Sequence, residues 1–201
     1  MSIFVQTYGR DISGTVYLNG KRVQTRTVGQ AVHHGLAYVS EDRKRYGLNL
    51  IQSVKSNMTA AALQKVASNG VIETNEEIQA ANRLRADLTV KTPTVEVEVG
   101  KLSGGNQQKV SVAKWVFTDP EVLILDEPTR GIDVGAKYEI YTIINRLADA
   151  GKAVLVISSE LPELIGLCDR IYTLSAGRIT GNVSRAEATQ EYLMSLMTQE
   201  A

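Results

Sequence analysis

The feature that most constrains the fold is a glycine-rich turn, followed further along by an apolar strand that ends in two acidic residues. The turn occupies residues 102–109 (LSGGNQQK), and the strand of residues 122–125 leads directly into Asp126 and Glu127. Glycines at a helix start let the free backbone N–H groups and the positive end of the helix dipole approach a phosphate oxygen. In a parallel sheet, ligands bind beyond the carboxyl ends of the strands. The two runs together predict an α/β fold with a site for a phosphate group and its Mg²⁺ ion.

Each run also has a simpler interpretation. The triplet of residues 103–105 (SGG), taken alone, is usually only a capped helix start, and an acidic pair at a strand end is often a solvated turn. The longer runs, LSGGNQQK and LILDEPT, are far more specific. Because adjacent side chains at a strand end diverge, the acidic pair can divide two roles. Asp126 is expected to enter the shell of a Mg²⁺ ion, and Glu127 is expected to polarise the attacking water.

Composition agrees with this interpretation. A chain of 201 residues with 43% hydrophobic residues can build one ordinary globular core. The formal net charge is zero, which gives no electrostatic attraction to nucleic acid or anionic lipid. Cys168 is the only cysteine, so an internal disulfide is ruled out. No apolar run approaches the roughly 20 residues of a membrane span, and the first residues are too short for a signal-peptide core. A soluble, cytoplasmic protein is therefore expected.

The first third is predicted to hold a hairpin, a short helix and a buried strand. The hairpin turns at Asn19-Gly20, a dipeptide typical of tight β-turns. The helix covers residues 28–34 and stops at Gly35, and the strand covers residues 36–39. A charged loop of residues 40–45 follows.

The middle is predicted to be a small helical subdomain, about residues 50–105. Ser53 is expected to cap a helix that extends to about residue 66. Thr74 and Glu77 form a capping box before a second helix over residues 78–88. These helices are inserted between two strand-bearing regions of the chain.

From residue 103 onward, predicted helices and strands alternate. Apolar, β-branched strands at residues 122–125, 153–157 and 171–174 follow helices, which favours a mostly parallel sheet covered by helices. Ala176-Gly177 turns the last strand back on itself. Ser184 and Glu187 form a second capping box before a terminal helix.

From about residue 13 to residue 197 the sequence resembles the second ATPase domain of bacterial ABC importer ATP-binding proteins for monosaccharides. Four runs carry the resemblance: residues 38–44 (YVSEDRK), 102–109 (LSGGNQQK), 126–135 (DEPTRGIDVG) and 157–163 (ISSELPE). It implies a P-loop NTPase-like ABC ATPase domain that uses ATP and Mg²⁺ and lies peripherally on the inner face of the plasma membrane. The implied partners are membrane permease subunits, a second ABC ATPase domain and, indirectly, a periplasmic sugar-binding protein. Xylose, ribose, galactose and multiple-sugar branches all remain open.

The resemblance assigns roles to ten residues. Glu127 is expected to be catalytic, together with Ser159 at the position of the switch histidine. Asp126 and Glu41 are the expected metal ligands. The expected nucleotide contacts come from the signature run and from the loop after the acidic pair: Ser103, Gly104, Gly105, Gln107, Gly131 and Asp133.

Three departures from the family pattern affect these expectations. The phosphate loop needs a Gly-Lys pair followed by a hydroxyl residue, but the three Gly-Lys pairs are followed by Arg22, Leu102 and Ala153. We therefore expect a domain truncated at its amino terminus, with its first strand and phosphate loop missing and ATP hydrolysis weak or absent in isolation. Ser159 cannot take up charge near neutral pH as a histidine can, and Glu41 stands where a glutamine is usual.

The sequence leaves a second function open. The leading hypothesis is a partial ATPase subunit that powers monosaccharide import, its signature run acting on the nucleotide of a second domain. The alternative is a non-catalytic regulatory or assembly fragment that docks on a permease or an intact ATPase domain through residues 41–45 and the signature face. An ATPase of the DNA-repair type is disfavoured, because the interval before the signature run holds short helices rather than a long coiled coil. No nucleic-acid partner is expected.

Overall fold

The computed structural model describes residues 13–198, so the expectation of a truncated amino terminus falls outside the described part of the chain. The chain divides into two compact units, one ending at Leu155 and the other starting at Val156. The first unit holds the predicted signature run and the acidic pair. The second holds Ser159.

The first unit begins with the predicted hairpin. Strands β1 (Val16–Leu18) and β2 (Lys21–Val23) pair antiparallel. Asn19 and Gly20 have φ values of 50° and 72°, the left-handed backbone that a two-residue hairpin turn requires. Helix α1 (Val28–His33) follows, with Thr27 accepting a hydrogen bond from the Gln30 N–H as its amino-terminal cap. The turn dipeptide therefore predicted this hairpin correctly.

A three-stranded sheet forms the centre of the first unit. Strand β3 (Leu36–Val39) pairs in parallel with β6 (Val122–Asp126), and β7 (Ala153–Ile157) lies on the other side of β6. The register places Leu36 opposite Val122 and Val39 opposite Leu125, so both carboxyl ends meet at one edge. A buried cluster of Ala31, Leu36 and Ile124 packs one side, with Trp115 half-buried against it. The predicted α/β class with parallel strands is confirmed.

Between β3 and β6 the chain forms the helical segment. It contains a π-helical turn (Arg43–Gly47), α2 (Val54–Thr59), a 3₁₀ stretch (Ala60–Val66), the hairpin β4 (Ala67–Ser68) and β5 (Val71–Ile72), and α3 (Thr74–Asp87). Ser53 caps α2 as predicted, accepting from the Ser56 N–H at 3.1 Å. The continuous helix predicted to reach Val66 is wrong, because the backbone breaks at Ala62 with φ −149° and ψ 50°. The small hairpin had not been predicted.

The capping box predicted for Thr74 and Glu77 is also wrong. Helix α3 already begins at Thr74, and Glu73 precedes it without a side-chain cap. Glu77 is buried and bonded elsewhere. Its carboxylate accepts from the Thr59 hydroxyl at 2.8 Å and pairs with the Lys55 ammonium at 3.4 Å. A carboxylate held by two long-range partners cannot also reach back to its own helix start.

Two long helices flank β6 in the chain and pack against each other. Helix α4 (Gly104–Val116) leads into β6, and α5 (Val134–Asp149) follows it. They approach closely at Gly105 and Ala136, where a Cβ atom on Gly105 would lie 2.5 Å from the Ala136 Cβ. Side-chain carbons make ordinary contacts near 3.5–4.0 Å, so only glycine allows this approach.

The second unit contains α6 (Leu161–Leu167), the antiparallel strands β8 (Arg170–Ser175) and β9 (Arg178–Ser184), and α7 (Gln190–Met197). Its core is Ile171, Val183 and Leu193. The Ser184 hydroxyl donates to Glu187 at 2.6 Å, but this pair closes a turn, and Thr189 caps α7 instead. The second predicted capping box is therefore wrong as a helix start, because the helix begins only after Thr189.

Candidate functional site

Asp126 lies where the two parallel strands end. It is the last residue of β6, half-buried, and its carboxylate accepts a 2.6 Å hydrogen bond from the Tyr38 hydroxyl on β3. The strand pairing places Tyr38 opposite Ile124, so the tyrosine reaches forward along the sheet to the acidic pair. A carboxylate oriented in this way matches the oxygen ligands that Mg²⁺ prefers.

Glu127 turns the chain sharply away from the strand. Its φ is 46°, a left-handed conformation that costs a non-glycine residue on the order of 1–3 kcal/mol. Its carbonyl oxygen accepts from the Arg130 N–H at 3.2 Å, closing a turn over Pro128 and the buried Thr129. The backbone therefore leaves the direction of the strand at Glu127, directly after Asp126.

Glu41, the second expected metal ligand, pairs with the guanidinium of Arg130. Among residues 13–198, no three His, Cys, Asp or Glu side chains come together as a metal cluster. Mg²⁺ in nucleotide sites is usually held by one or two carboxylates together with phosphate oxygens and water. Asp126 therefore fits Mg²⁺ in that mode, and the part of Glu41 in metal binding stays a prediction.

The signature turn is built as a capped helix start. Ser103 precedes α4 and its hydroxyl accepts from the Asn106 side-chain amide at 2.9 Å. Gly104 and Gly105 form the first two helical positions, where backbone N–H groups have no intrahelical partner. Ser103 is exposed, whereas Gly105 is buried against α5. Ser103 is thus accessible at the surface of the turn, whereas Gly105 also packs against α5.

Gln107 is placed differently from the turn that precedes it. Its side chain is 5% exposed, and its amide nitrogen donates to the carbonyl oxygens of Val99, Gly100 and Leu102 at 3.3, 3.4 and 3.1 Å. These bonds hold the chain entering the signature turn. The structure therefore gives Gln107 a supporting position inside the domain, and its predicted nucleotide contact remains untested.

Gly131 and Asp133 lie in the loop between β6 and α5. Gly131 has φ +67° and open space where a Cβ would point. Asp133 caps α5, its carboxylate accepting from the Ala136 N–H at 2.9 Å. The cap fixes the loop's exit into the helix, and helix starts of this kind favour negative charge.

Ser159 belongs to the second unit, lies two residues after the end of β7 and is exposed. The loop that carries it is anchored by its neighbours. The Ser158 hydroxyl donates to the buried carboxylate of Glu163 at 2.5 Å and accepts from the Glu160 N–H at 3.0 Å. The sequence had singled out Ser159 but neither anchor.

The sequence also missed the buried lysine of the signature run. Lys109 is 1% exposed; its ammonium donates to the Thr89 carbonyl at 2.7 Å and pairs with Glu139 on α5 at 2.5 Å. Lys91 pairs with the same carboxylate at 3.1 Å. Hydrogen bonds from Lys109 and then Lys91 lower the pKa of Glu139 below its usual value near 4.5. The apolar residues that follow it, Val110, Val112 and Ala113, are a sequence signal that this part of the helix is buried.

Comparison with known proteins agrees with this geometry. The ABC transporter family matches residues 2–130. The chain therefore belongs to the ABC transporter family. It is 57% identical over 201 residues to an L-arabinose transport ATP-binding protein of Geobacillus stearothermophilus, covering 100% of this chain and 39% of the relative. It is 51% identical over 197 residues to a xylose import ATP-binding protein of Geobacillus kaustophilus, covering 98% and 39%.

A ribose import ATP-binding protein of Clostridium perfringens is 47% identical over 185 residues, covering 92% of this chain and 37% of the relative. The chain thus spans about two fifths of the length of these curated relatives. No helix within residues 13–198 has the length and apolarity to cross a membrane.

Solved structures share the fold. An ATP-binding cassette of an ABC transporter in its ADP conformation aligns with a TM-score of 0.76 and 17% identity, covering 99% of this chain and 82% of that one. A nucleotide-free ATP-binding cassette aligns with a TM-score of 0.75 and 17% identity, covering 98% and 78%. At this identity the likeness shows the fold, which is the α/β fold of ATP-binding cassettes.

Proposed function

We propose that this chain is part of the ATP-binding and ATP-hydrolysing subunit that powers import of monosaccharides through a membrane permease. The observation that carries the proposal is the carboxylate pair at the end of a parallel strand, with Asp126 oriented by the Tyr38 hydroxyl. A glycine-opened helix capped by Ser103 leads into that strand. The relatives at 47–57% identity are named as sugar transport or import ATP-binding proteins, and these names support the same function.

Within this function, the described residues have separate tasks. Asp126 would hold Mg²⁺, which supplies positive charge to the phosphate oxygens when bound. The Glu127 carboxylate accepts a hydrogen bond from the attacking water and takes up its proton. Ser103 and the N–H groups at the start of α4 donate to phosphate oxygens of the nucleotide held by a second ABC ATPase domain.

The remaining assignments complete the proposal. Gly131 and Asp133 face the same nucleotide, and Gln107 supports the signature turn from within. Glu41 assists at the metal, and the Ser159 hydroxyl donates to a phosphate or water at the switch position. Residues of about 50–105 form the helical subdomain. The subunit works at the cytoplasmic face of the membrane with permease subunits and, through them, a periplasmic sugar-binding protein.

The test substitutes the proposed catalytic carboxylate in the subunit assembled with its permease. Glu127→Gln should lower kcat for ATP hydrolysis by on the order of 100-fold or more, because the water loses its proton acceptor. Glu121→Gln is the matched control, since Glu121 precedes the same strand at its opposite end. Labelled arabinose, xylose and ribose uptake in cells then identifies the sugar.

The alternative, a non-catalytic assembly fragment, gives the opposite result. In that case Glu127→Gln and Ser103→Arg both leave ATP hydrolysis by the assembled complex at the level of the unsubstituted protein. That outcome would contradict the proposed function.

A further inference from the structure

The side chain of Arg43 joins two loops that are far apart in the sequence. Arg43 begins the π-helical turn after β3, which Asp42 fixes by accepting from the N–H groups of Lys44 and Arg45 at 3.2 and 3.0 Å. From there the guanidinium donates to the carbonyl oxygens of Arg130 at 3.1 Å and Gly131 at 3.4 Å. The planar guanidinium thus binds two consecutive carbonyl oxygens of the loop after β6.

The surroundings of this guanidinium are partly dry. Burial is the main influence on its pKa and lowers it, and the charge of Asp42 opposes the shift. Its Nε atom is buried and makes no hydrogen bond within the described part of the chain. Hydrogen bonds from a charged donor are roughly twice as strong as neutral ones, so the two carbonyl contacts favour one position of the loop.

The signature helix completes the arrangement on both sides. A Cβ on Gly104 would lie 3.0 Å from the Arg43 Nη2 and 3.4 Å from the Gly131 oxygen, so the missing side chain leaves room for the guanidinium. At the other end of the π-helical turn, the Lys114 ammonium of α4 donates to the Gly47 carbonyl at 2.5 Å. The turn is thereby attached to α4 as well as to the loop after β6.

We propose that Arg43 is a positioning residue that fixes the loop of residues 130–133 against the signature turn. It makes the charged loop after β3, the start of α4 and the loop after β6 move together. The loop carries Gly131 and Asp133, so under the proposed function Arg43 sets where these residues meet the nucleotide. The fixation itself does not depend on that function.

Amide hydrogen exchange on the nucleotide-free chain tests the fixation directly. The Arg130 N–H, bonded to the Glu127 carbonyl, reports opening of the loop, and the amides of α3 report unfolding of the unit. Arg43→Met keeps the stem but removes both donors. It should raise the ratio of the Arg130 exchange rate to the α3 rates on the order of tenfold. The ratio for Arg43→Lys, whose ammonium is a single point charge rather than a planar guanidinium, should lie between the ratios of the original chain and Arg43→Met.

Lys44→Met is the matched control, because Lys44 lies beside Arg43 on the same turn and its side chain is exposed. A ratio that stays within about twofold in Arg43→Met, or that rises equally in Lys44→Met, overturns the inference. Should Arg43→Met not fold, Arg43→Lys applies the same test, since a single ammonium cannot reproduce the two bonds that the guanidinium donates. An unchanged ratio in that variant also overturns the inference.

A kinetic measurement in the assembled importer separates positioning from direct contact. Arg43→Met should lower kcat for ATP hydrolysis and leave KM for ATP unchanged, and Arg43→Lys should recover part of kcat. A rise in KM alone would overturn the inference, because it would place Arg43 on the nucleotide. A failure of the proposed function would give a different result. ATP hydrolysis would then be unchanged in Glu127→Gln, while the exchange ratio would still be raised in Arg43→Met.

Discussion

Gly105 is the residue of the signature turn at which an added methyl group has the most predictable effect. Its Cβ would lie 2.5 Å from the Cβ of Ala136, so α4 and α5 would have to separate by about 1 Å to restore ordinary contact. Overpacking of this kind costs about 1–3 kcal/mol. The gain in helix propensity from Gly to Ala is at most about 1 kcal/mol and is smaller in a first turn. We therefore expect Gly105→Ala to lower the free energy of unfolding by about 1–3 kcal/mol.

The assay uses the single tryptophan of the chain. Trp115 lies near the end of α4 and packs half-buried against the Ala31–Leu36–Ile124 cluster, so its fluorescence follows unfolding of the first unit in urea. Gly29→Ala is the matched control. Gly29 is also the second residue of its helix, and the atom nearest its added Cβ is 4.0 Å away. Its stability should stay within about 0.5 kcal/mol of the original.

A double-mutant cycle identifies the cause. Ala136→Gly removes the methyl group that Gly105→Ala would strike, at a cost of about 1–2 kcal/mol in propensity and burial. The double variant should be no less stable than Ala136→Gly alone, giving a coupling energy of about 1–3 kcal/mol. If the two changes add within about 0.5 kcal/mol, or if Gly105→Ala matches Gly29→Ala, the steric reasoning is refuted.

Three further predictions concern polar groups of the same unit. Lys109→Met keeps the buried stem but removes the ammonium that donates to the Thr89 carbonyl. We expect the free energy of unfolding in the same urea assay to fall by about 1–3 kcal/mol. An unchanged free energy of unfolding would contradict a stabilising role of that bond. The lowered pKa of Glu139 means that its pairing stabilises the fold above its usual pKa near 4.5 and is lost as the pH falls through its lower folded-state value. The free energy of unfolding, measured from pH 7 to pH 3, should therefore fall less steeply in Glu139→Gln than in the original chain. The difference should be no more than about 1 kcal/mol because the carboxylate is partly exposed. Identical slopes would contradict a stabilising role of this pairing. Tyr38→Phe frees the Asp126 carboxylate and should raise the Mg²⁺ concentration for half-maximal ATP hydrolysis about tenfold; an unchanged Mg²⁺ dependence would show that the hydroxyl does not orient the ligand.

Short-range signals in the sequence predicted the local structure well. The Asn19-Gly20 turn and the caps at Ser53 and Ser103 all formed as expected. Each depends on residues within three or four positions of one another, where a side chain and a backbone N–H meet without help from the rest of the fold. The same reasoning failed at Glu77, because Thr59 and Lys55 compete for its carboxylate from another helix.

The candidate site also has parts that local sequence signals predicted and parts that they did not. The apolar run before Asp126 was enough to place the acidic pair at the end of a strand. Nothing in the run indicated that Tyr38, 88 residues earlier, would hold the Asp126 carboxylate. That contact follows from the parallel register of β3 and β6, and strand register is set by packing of the whole sheet.

The amino-acid sequence is sufficient to predict the motifs, the strand–helix alternation and the residue types that nucleotide chemistry needs. The different roles of neighbouring residues within one motif become visible only in the folded chain. Gly105 is required by the contact between α4 and α5, Gly104 leaves room for Arg43, and Lys109 lies buried beside Glu139. These roles depend on distances between segments that are remote in the chain. Such distances exist only once the core has packed, whereas backbone conformation and capping depend mainly on covalent neighbours.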